Sequence, residues 1–428
     1  MNRFFAVLLT LALLLGAPLM AVRAEEITIT VAGGAVGEEL ELTRRAADMY
    51  MEENPDVRVE VLDTPDMVED RRGLYLQFFQ AESSAVDVYQ IDVIWPGDMA
   101  EHFVDLYEFG AEEYVDMHFP AIVENNTVDG KLIGIPWFTD AGLLYYRTDM
   151  LEKYELDVPT TWTELEEAAQ IIKDGEREEG RRDFQGFVWQ GGTYEGMVCN
   201  ALEWLASNNA GTIISPEGEI TVNNPQAAEI ISQAAGWVGT ISPSGITGFA
   251  EEDARAVWQN GNAAFMRNWP YAYSLSRAED SPIRDDFAVT TLPAGDEGTP
   301  AHTLGGWQLA VSQYSEYPDV AADVAFYLAG YESQLMRATD GSMNPTIAEL
   351  YEHEDVLEAN PFMGDLYDVF INAVARPSTI SAPNYAEVSG AFVDEIHPVL
   401  RGQAEVYEAL EYLEISLQEI TGLPVGSP

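Results

Sequence analysis

The 428-residue sequence is short of cysteine and of positive charge. Its one cysteine, Cys199, excludes an internal disulfide framework, and no cysteine stands near the N-terminal apolar run to take a lipid. Set among Met197, Val198, Ala201 and Leu202, Cys199 is expected to be a buried, inert thiol. Lysine occurs only at Lys131, Lys153 and Lys173, and 21 basic residues stand against 73 acidic ones, a formal charge of −52. That balance excludes the basic footprint of a nucleic-acid binder. The five histidines, His102, His118, His302, His353 and His397, are scattered, with no two at ligand spacing on one helix, so neither a metal nor a cofactor is expected. Phosphate loops, dinucleotide fingerprints and nucleophile elbows are missing as well, which leaves no recognisable catalytic signature.

What is present begins with a leader. Residues 1–24 carry Arg3, an apolar run from Phe4 to Leu15, the breakers Gly16 and Pro18, and the ending Val22-Arg23-Ala24. This layout predicts a cleaved secretory signal, a mature protein starting near Glu25 and a periplasmic location without a lipid anchor. Loss of Arg3 and Arg23 leaves 19 basic against 73 acidic residues, a charge of −54. The acids are spread through a chain that is 47% hydrophobic and 11% aromatic, so they belong to a folded protein suited to concentrated salt rather than to a disordered tail. About 400 residues then remain, more than one core usually supports, and two domains are expected. No low-complexity linker marks a boundary, so the chain is expected to cross between them more than once.

Periodicity supplies the fold class. Ile27, Ile29 and Val31 alternate as a strand, residues 41–51 have helical spacing, and Val57, Val59 and Val61 alternate again. A helical stretch over residues 74–79 leads to a third strand in residues 86–95. This β-α-β-α-β order predicts an α/β protein with mostly parallel sheets flanked by helices. Further on, Thr161 and Glu164 have capping-box spacing ahead of a helix, and helices are expected over residues 195–207, 227–238, 254–260 and 407–420. Strands are expected over residues 184–189 and 263–268.

Aromatic, glycine and acidic residues gather at the ends of these strands: Glu38, Asp92 with Trp95, Asp140, Trp269 and Trp307. Sugars require that mixture, because the C–H face of a pyranose stacks on an aromatic ring while its hydroxyls need charged partners. Taken singly, such an acid is an ordinary surface charge and such a tryptophan an ordinary core residue.

Longer segments carry more. Gly33-Gly34-Ala35, Asp140 to Arg147, Gly186 to Gly191 with Tyr194-Glu195-Gly196, Gly261 to Phe265 running on to Arg267-Asn268-Trp269-Pro270-Tyr271-Ala272, Thr303 to Trp307, and Asn372-Ala373-Val374 with Arg376-Pro377 together resemble the ABC-transporter solute-binding proteins for sugars, in particular the trehalose/maltose-binding branch. The resemblance covers almost the whole mature chain. It implies a two-lobe periplasmic-binding-protein fold with the ligand cleft between the lobes, and ligand contacts at Glu38, Arg71, Asp92, Phe138, Asp140, Trp269, Gly305, Trp307 and Arg376. Phe138 stands where the related pattern has tyrosine, which removes one hydroxyl from the site. The implied crossings lie near 140–141, 291–293 and 340–342, giving lobe one as 25–140 plus 294–340 and lobe two as 141–293 plus 341–428. The implied function is a monomeric, non-enzymatic binder of a disaccharide that serves the permease subunits of an ABC importer. A binder of another solute, such as a glucosylated osmolyte, and a secreted glycoside hydrolase are the alternatives.

Overall fold

The computed structural model describes residues 27–428. The leader expected over residues 1–24 lies outside the described residues.

Among the described residues, twelve strands run in chain order as β1 (Ile27–Gly33), β2 (Val57–Asp63), β3 (Val88–Asp92), β4 (Thr127–Val128), β5 (Lys131–Leu132), β6 (Ile135–Ala141), β7 (Leu143–Arg147), β8 (Gln185–Val188), β9 (Ala263–Asn268), β10 (Phe287–Thr290), β11 (Leu304–Val311) and β12 (Asn344–Pro345). The first lobe holds a six-stranded sheet in the order β12-β6-β11-β3-β1-β2, and the second a four-stranded sheet in the order β10-β7-β9-β8. Both have helices packed on them, which makes this the two-lobe α/β fold of the periplasmic binding proteins. The parallel pairing expected from the β-α-β order holds for β1 with β2 and β3, and for β8 with β9. Elsewhere the sheets are mixed: β11 runs antiparallel to β3 and β6, and β7 antiparallel to β9 and β10.

The helices begin where their local chemistry dictates. Thr161 accepts from the Glu164 N–H and the Glu164 carboxylate accepts from the Thr161 N–H, a complete capping box opening the helix Trp162–Glu178. That helix presents Trp162, Leu165, Ala169 and Ile172 to the second lobe's core, at the spacing of one helical face. Trp189, Trp204 and Trp237 pack there edge to face, at 5.1 and 5.7 Å between ring centres.

The crossings converge. Gly142 joins β6 of the first sheet to β7 of the second, close to the expected position. The other two differ from expectation. Ala294 bridges to Thr161 and the Gly295 N–H donates to the Ser207 carbonyl, so the chain stays with the second lobe beyond residue 293 and crosses just ahead of β11. Residues 344–345 form β12 beside β6, and Tyr351 and Tyr367 pack on Phe119 of the first lobe, so the chain has not left that lobe at residues 340–342. It leaves near Val374, which bridges to Thr303. His302 Nδ1 lies 2.7 Å from the Gly142 carbonyl, tying the first crossing to the second. Gly142, Thr303 and Val374 thus run side by side. No helix among the described residues is long and apolar enough to cross a membrane.

Candidate functional site

The cleft between the lobes contains about 630 Å³ of empty space, part of it continuous with solvent. Its first-lobe wall is built at strand ends: Asp92 closes β3, Phe138 and Asp140 lie on β6, and Gly305 to Trp307 open β11. Trp269, directly after β9, faces them from the second lobe with Tyr194, Glu195, Glu251 and Tyr271. β3 and β6 contribute their carboxyl ends, where ligand sites of α/β proteins form, and the antiparallel β11 brings its amino end to the same edge.

Both cleft tryptophans are held from behind by arginine. The Arg267 guanidinium lies 3.8 Å from the centre of the Trp269 ring, and that of Arg71 lies 4.4 Å from the Trp307 ring. Neither arginine lines the cleft while both indoles do, so each cation covers one ring face and leaves the other to the cavity. Arg267 is fixed in turn by Glu203, through Nη2 to Oε1 at 2.5 Å and Nε to Oε2 at 2.9 Å, both side chains being fully buried. Trp269 Nε1 donates to Glu251 at 3.2 Å, and Trp307 meets Trp95 edge to face at 5.8 Å. A methyl group at Gly305 would come within 3.1 Å of both Asp140 Cβ and Trp269 Cζ3, so the absence of a side chain there lets the tryptophan close over β11.

Asp140 is the exposed nerve of this wall. The residue is 8% exposed, its carboxylate accepts no hydrogen bond among the described residues, and burial first, then the charges of Glu39 and Asp92, raises its carboxyl well above the ordinary range. Burial likewise raises Glu39, with Arg71 and a 3.2 Å bond from Gln90 acting against it. Behind Phe138, Arg337 stacks over Trp137 at 4.0 Å and Phe138 at 5.0 Å, its pKa pushed down to about 10 by burial. Arg376 spans the lobes, donating through Nη2 to Asp92 at 3.0 Å and through Nη1 to Glu195 at 2.9 Å. Three charges are thereby buried as a paired group, which removes most of the desolvation cost.

Asp92, Phe138, Asp140, Trp269, Gly305, Trp307 and Arg376 are therefore brought together around one cavity. Glu38 is not: it is exposed, and its neighbour Glu39 is the buried acid on the cleft wall. Glu39 falls in the stripe Glu39, Leu42, Thr43, Ala46, Ala47, Tyr50 that its helix, Glu39–Glu53, buries, whereas Glu38 is one residue out of phase. Arg71 is in the core beside the site, stacked behind Trp307 on the stripe Arg71, Tyr75, Phe79. Tyr194, Glu195, Glu251 and Tyr271 were not singled out as contacts from the sequence; Tyr271 follows Trp269 by two residues, whereas the nearness of Tyr194, Glu195 and Glu251 to Trp269 exists only in three dimensions. Cys199 is buried as expected, and burial pushes its thiol up, away from the reactive thiolate. Among the described residues no group of three or more histidine, cysteine or acidic side chains is placed to hold a metal ion.

The family model of the bacterial extracellular solute-binding proteins matches residues 35–335. A probable ABC transporter-binding protein of Deinococcus radiodurans is 48% identical over 424 residues, 99% of each chain. Of solved structures, the maltose-bound MalE3 of T. maritima superposes with a TM-score of 0.87 at 38% identity, over 92% of this chain and 99% of that one. The maltodextrin-binding protein MdxE of Bacillus subtilis is 25% identical over 231 residues, 53% of this chain and 52% of that protein. Likeness of this extent, on a fold whose crossings close a single cleft, makes the chain a member of the bacterial extracellular solute-binding protein family.

Proposed function

We propose that the chain is the sugar-binding component of an ABC importer and closes its lobes around a disaccharide of the maltose or trehalose kind. The observation that carries this reading is Asp140, a buried carboxylate without a protein donor that lines the same cavity as two arginine-backed indoles. Paired hydroxyls on a pyranose supply the missing donors, while its C–H faces stack on Trp269 and Trp307. Asp92 and Glu195 accept further hydroxyls alongside Arg376, and Glu39 takes the role expected of Glu38. Phe138 offers a ring face and no hydroxyl. Arg71 acts through Trp307 rather than on the ligand. Maltose bound to the MalE3 relative, at 38% identity, supports the ligand class.

Membership of an extracellular family supports export, and a relative known as an ABC transporter-binding protein supports membrane permease subunits as the partner. The protein works as a monomer and binds without hydrolysing. Its relatives are binding proteins, which supports a non-catalytic role over that of a glycoside hydrolase. Calorimetric titration of the mature protein in molar salt with maltose, trehalose, sucrose and glucosylglycerol tests the assignment. Saturation by maltose or trehalose without release of glucose is the expected result. Saturation by glucosylglycerol alone would move the ligand to the osmolytes, and release of glucose would make the protein an enzyme.

A further inference from the structure

Away from the cleft, two first-lobe carboxylates end on helix N-termini of the second lobe. Glu69 accepts at Oε1 from the N–H of Glu195, the first residue of the helix Glu195–Ser207, at 2.7 Å. Asp98 accepts at Oδ2 from the N–H of Ala386, the second residue of the helix Tyr385–Leu400, at 3.4 Å. Neither helix has a side-chain cap of its own, since neither Tyr194 nor Asn384 makes a capping bond. An uncapped helix start presents unpaired N–H groups and a partial positive charge, and a carboxylate satisfies both. Here that acceptor comes from the other lobe.

Both contacts join one lobe to the other and so require the lobes to be together. Glu69 and Asp98 line a void separate from the sugar cleft, beyond Tyr194 and Glu195, and neither reaches the ligand cavity. Asp98 has only 2% of its side chain accessible and is steadied within its own lobe by Arg72, at 3.9 Å. The lobes meet tightly beside it: a methyl group at Gly97 would come within 2.7 Å of Ala382 Cβ. When the lobes part, water replaces both carboxylates at the helix ends.

We propose that Glu69 and Asp98 form a closure latch that sets ligand affinity without touching the ligand. Loss of a capping carboxylate shifts the closed-to-open ratio by about fivefold, the equivalent of about 1 kcal/mol. The two contacts are on different helices, so the double loss is worth about 25-fold. Sugar serves only as the probe, and to that extent the inference rests on the function proposed above.

The test uses the full mature protein with Glu69→Ala, Asp98→Ala and the double variant, and with Glu69→Gln and Asp98→Asn as shape-preserving controls that keep a neutral acceptor. Kd is measured for maltose and trehalose, and the closed fraction is read by single-molecule energy transfer between dyes on surface cysteines introduced one per lobe. The latch predicts Kd raised about fivefold in each alanine variant and about 25-fold in the double variant. It also predicts an unchanged maltose-to-trehalose ratio, a closed fraction that falls in step, and smaller losses in the amide variants. An unchanged Kd, an altered ratio, or a weaker Kd with an unaltered closed fraction overturns it. Should the wild-type protein bind neither sugar, the sugar reading fails. The latch is then judged on the closed fraction of the sugar-free protein, and equal fractions in wild type and double variant overturn it.

Discussion

An Asp140→Asn substitution exchanges charge for an amide of the same shape at a cleft carboxylate that has no donor from the protein. In the sugar-free protein the carboxylate is buried and repelled by Glu39 and Asp92, so removing its charge relieves the fold. A gain of about 1 kcal/mol corresponds to a rise in Tm of roughly 2 °C. Binding moves the other way. A hydroxyl donating to a carboxylate is worth about 1.5–3 kcal/mol against about 0.5–1.5 for a neutral acceptor, so two such bonds lose about 2–3 kcal/mol and affinity falls roughly 30- to 150-fold. The pH dependence has a definite sign. Because the folded carboxyl is raised above its ordinary value of 3.8, the folded state holds the proton more tightly than the unfolded one. This group's contribution to stability is therefore present below that ordinary range and is lost as pH rises toward the raised value. Sugar affinity rises over the same interval as the acceptor ionises, and the asparagine variant lacks both slopes. Scanning calorimetry without sugar and titration calorimetry with maltose, each at two or more pH values, measure the two effects. A variant that melts lower without sugar and binds with unchanged affinity would refute the reasoning.

Glu203→Gln leaves Arg267 buried without its bidentate partner, and destabilisation of about 3–5 kcal/mol is expected in urea unfolding, together with weaker binding because Arg267 backs Trp269. Gly305→Ala sets a methyl group 3.1 Å from Trp269 and Asp140, which must give way by a fraction of an ångström, and should weaken sugar binding in titration calorimetry while leaving far-ultraviolet circular dichroism intact. With a formal charge of −52, the chain should melt at a steadily higher temperature as NaCl goes from low to molar concentration, since the screening length falls from about 10 Å at 0.1 M to about 3 Å at 1 M. A melting temperature independent of salt would remove the halophilic reading of the composition.

The sequence made the elements readable where local chemistry decides them. The capping box at Thr161, the helix Glu195–Ser207 and the strand Ala263–Asn268 stand where periodicity and punctuation put them. The resemblance implies a third crossing near 340–342, while residues 344–345 pair with β6 as β12, a two-residue strand with no periodicity of its own whose pairing only the assembled sheet provides. Glu38 was chosen over Glu39 because two adjacent acids look alike in composition, although helical phase separates them: the buried stripe of the helix includes position 39 and omits position 38. The resemblance implies Arg71 as a ligand contact, whereas its place on the stripe with Tyr75 and Phe79 sends it into the core behind Trp307. Arg267 and Trp269 stand only two residues apart, whereas Arg71 and Trp307 are far apart in the chain, and no spacing rule announces that second pairing.

Closure of the two lobes around a disaccharide is tested most directly by tryptophan fluorescence titration in molar salt with maltose and trehalose, on the wild-type protein and on Trp269→Ala. A saturable change with at least one of these sugars, lost in the variant while its fold is retained, is the predicted result. Failure of the folded wild-type protein to respond to either sugar, or an undiminished response after Trp269 is removed, would contradict it.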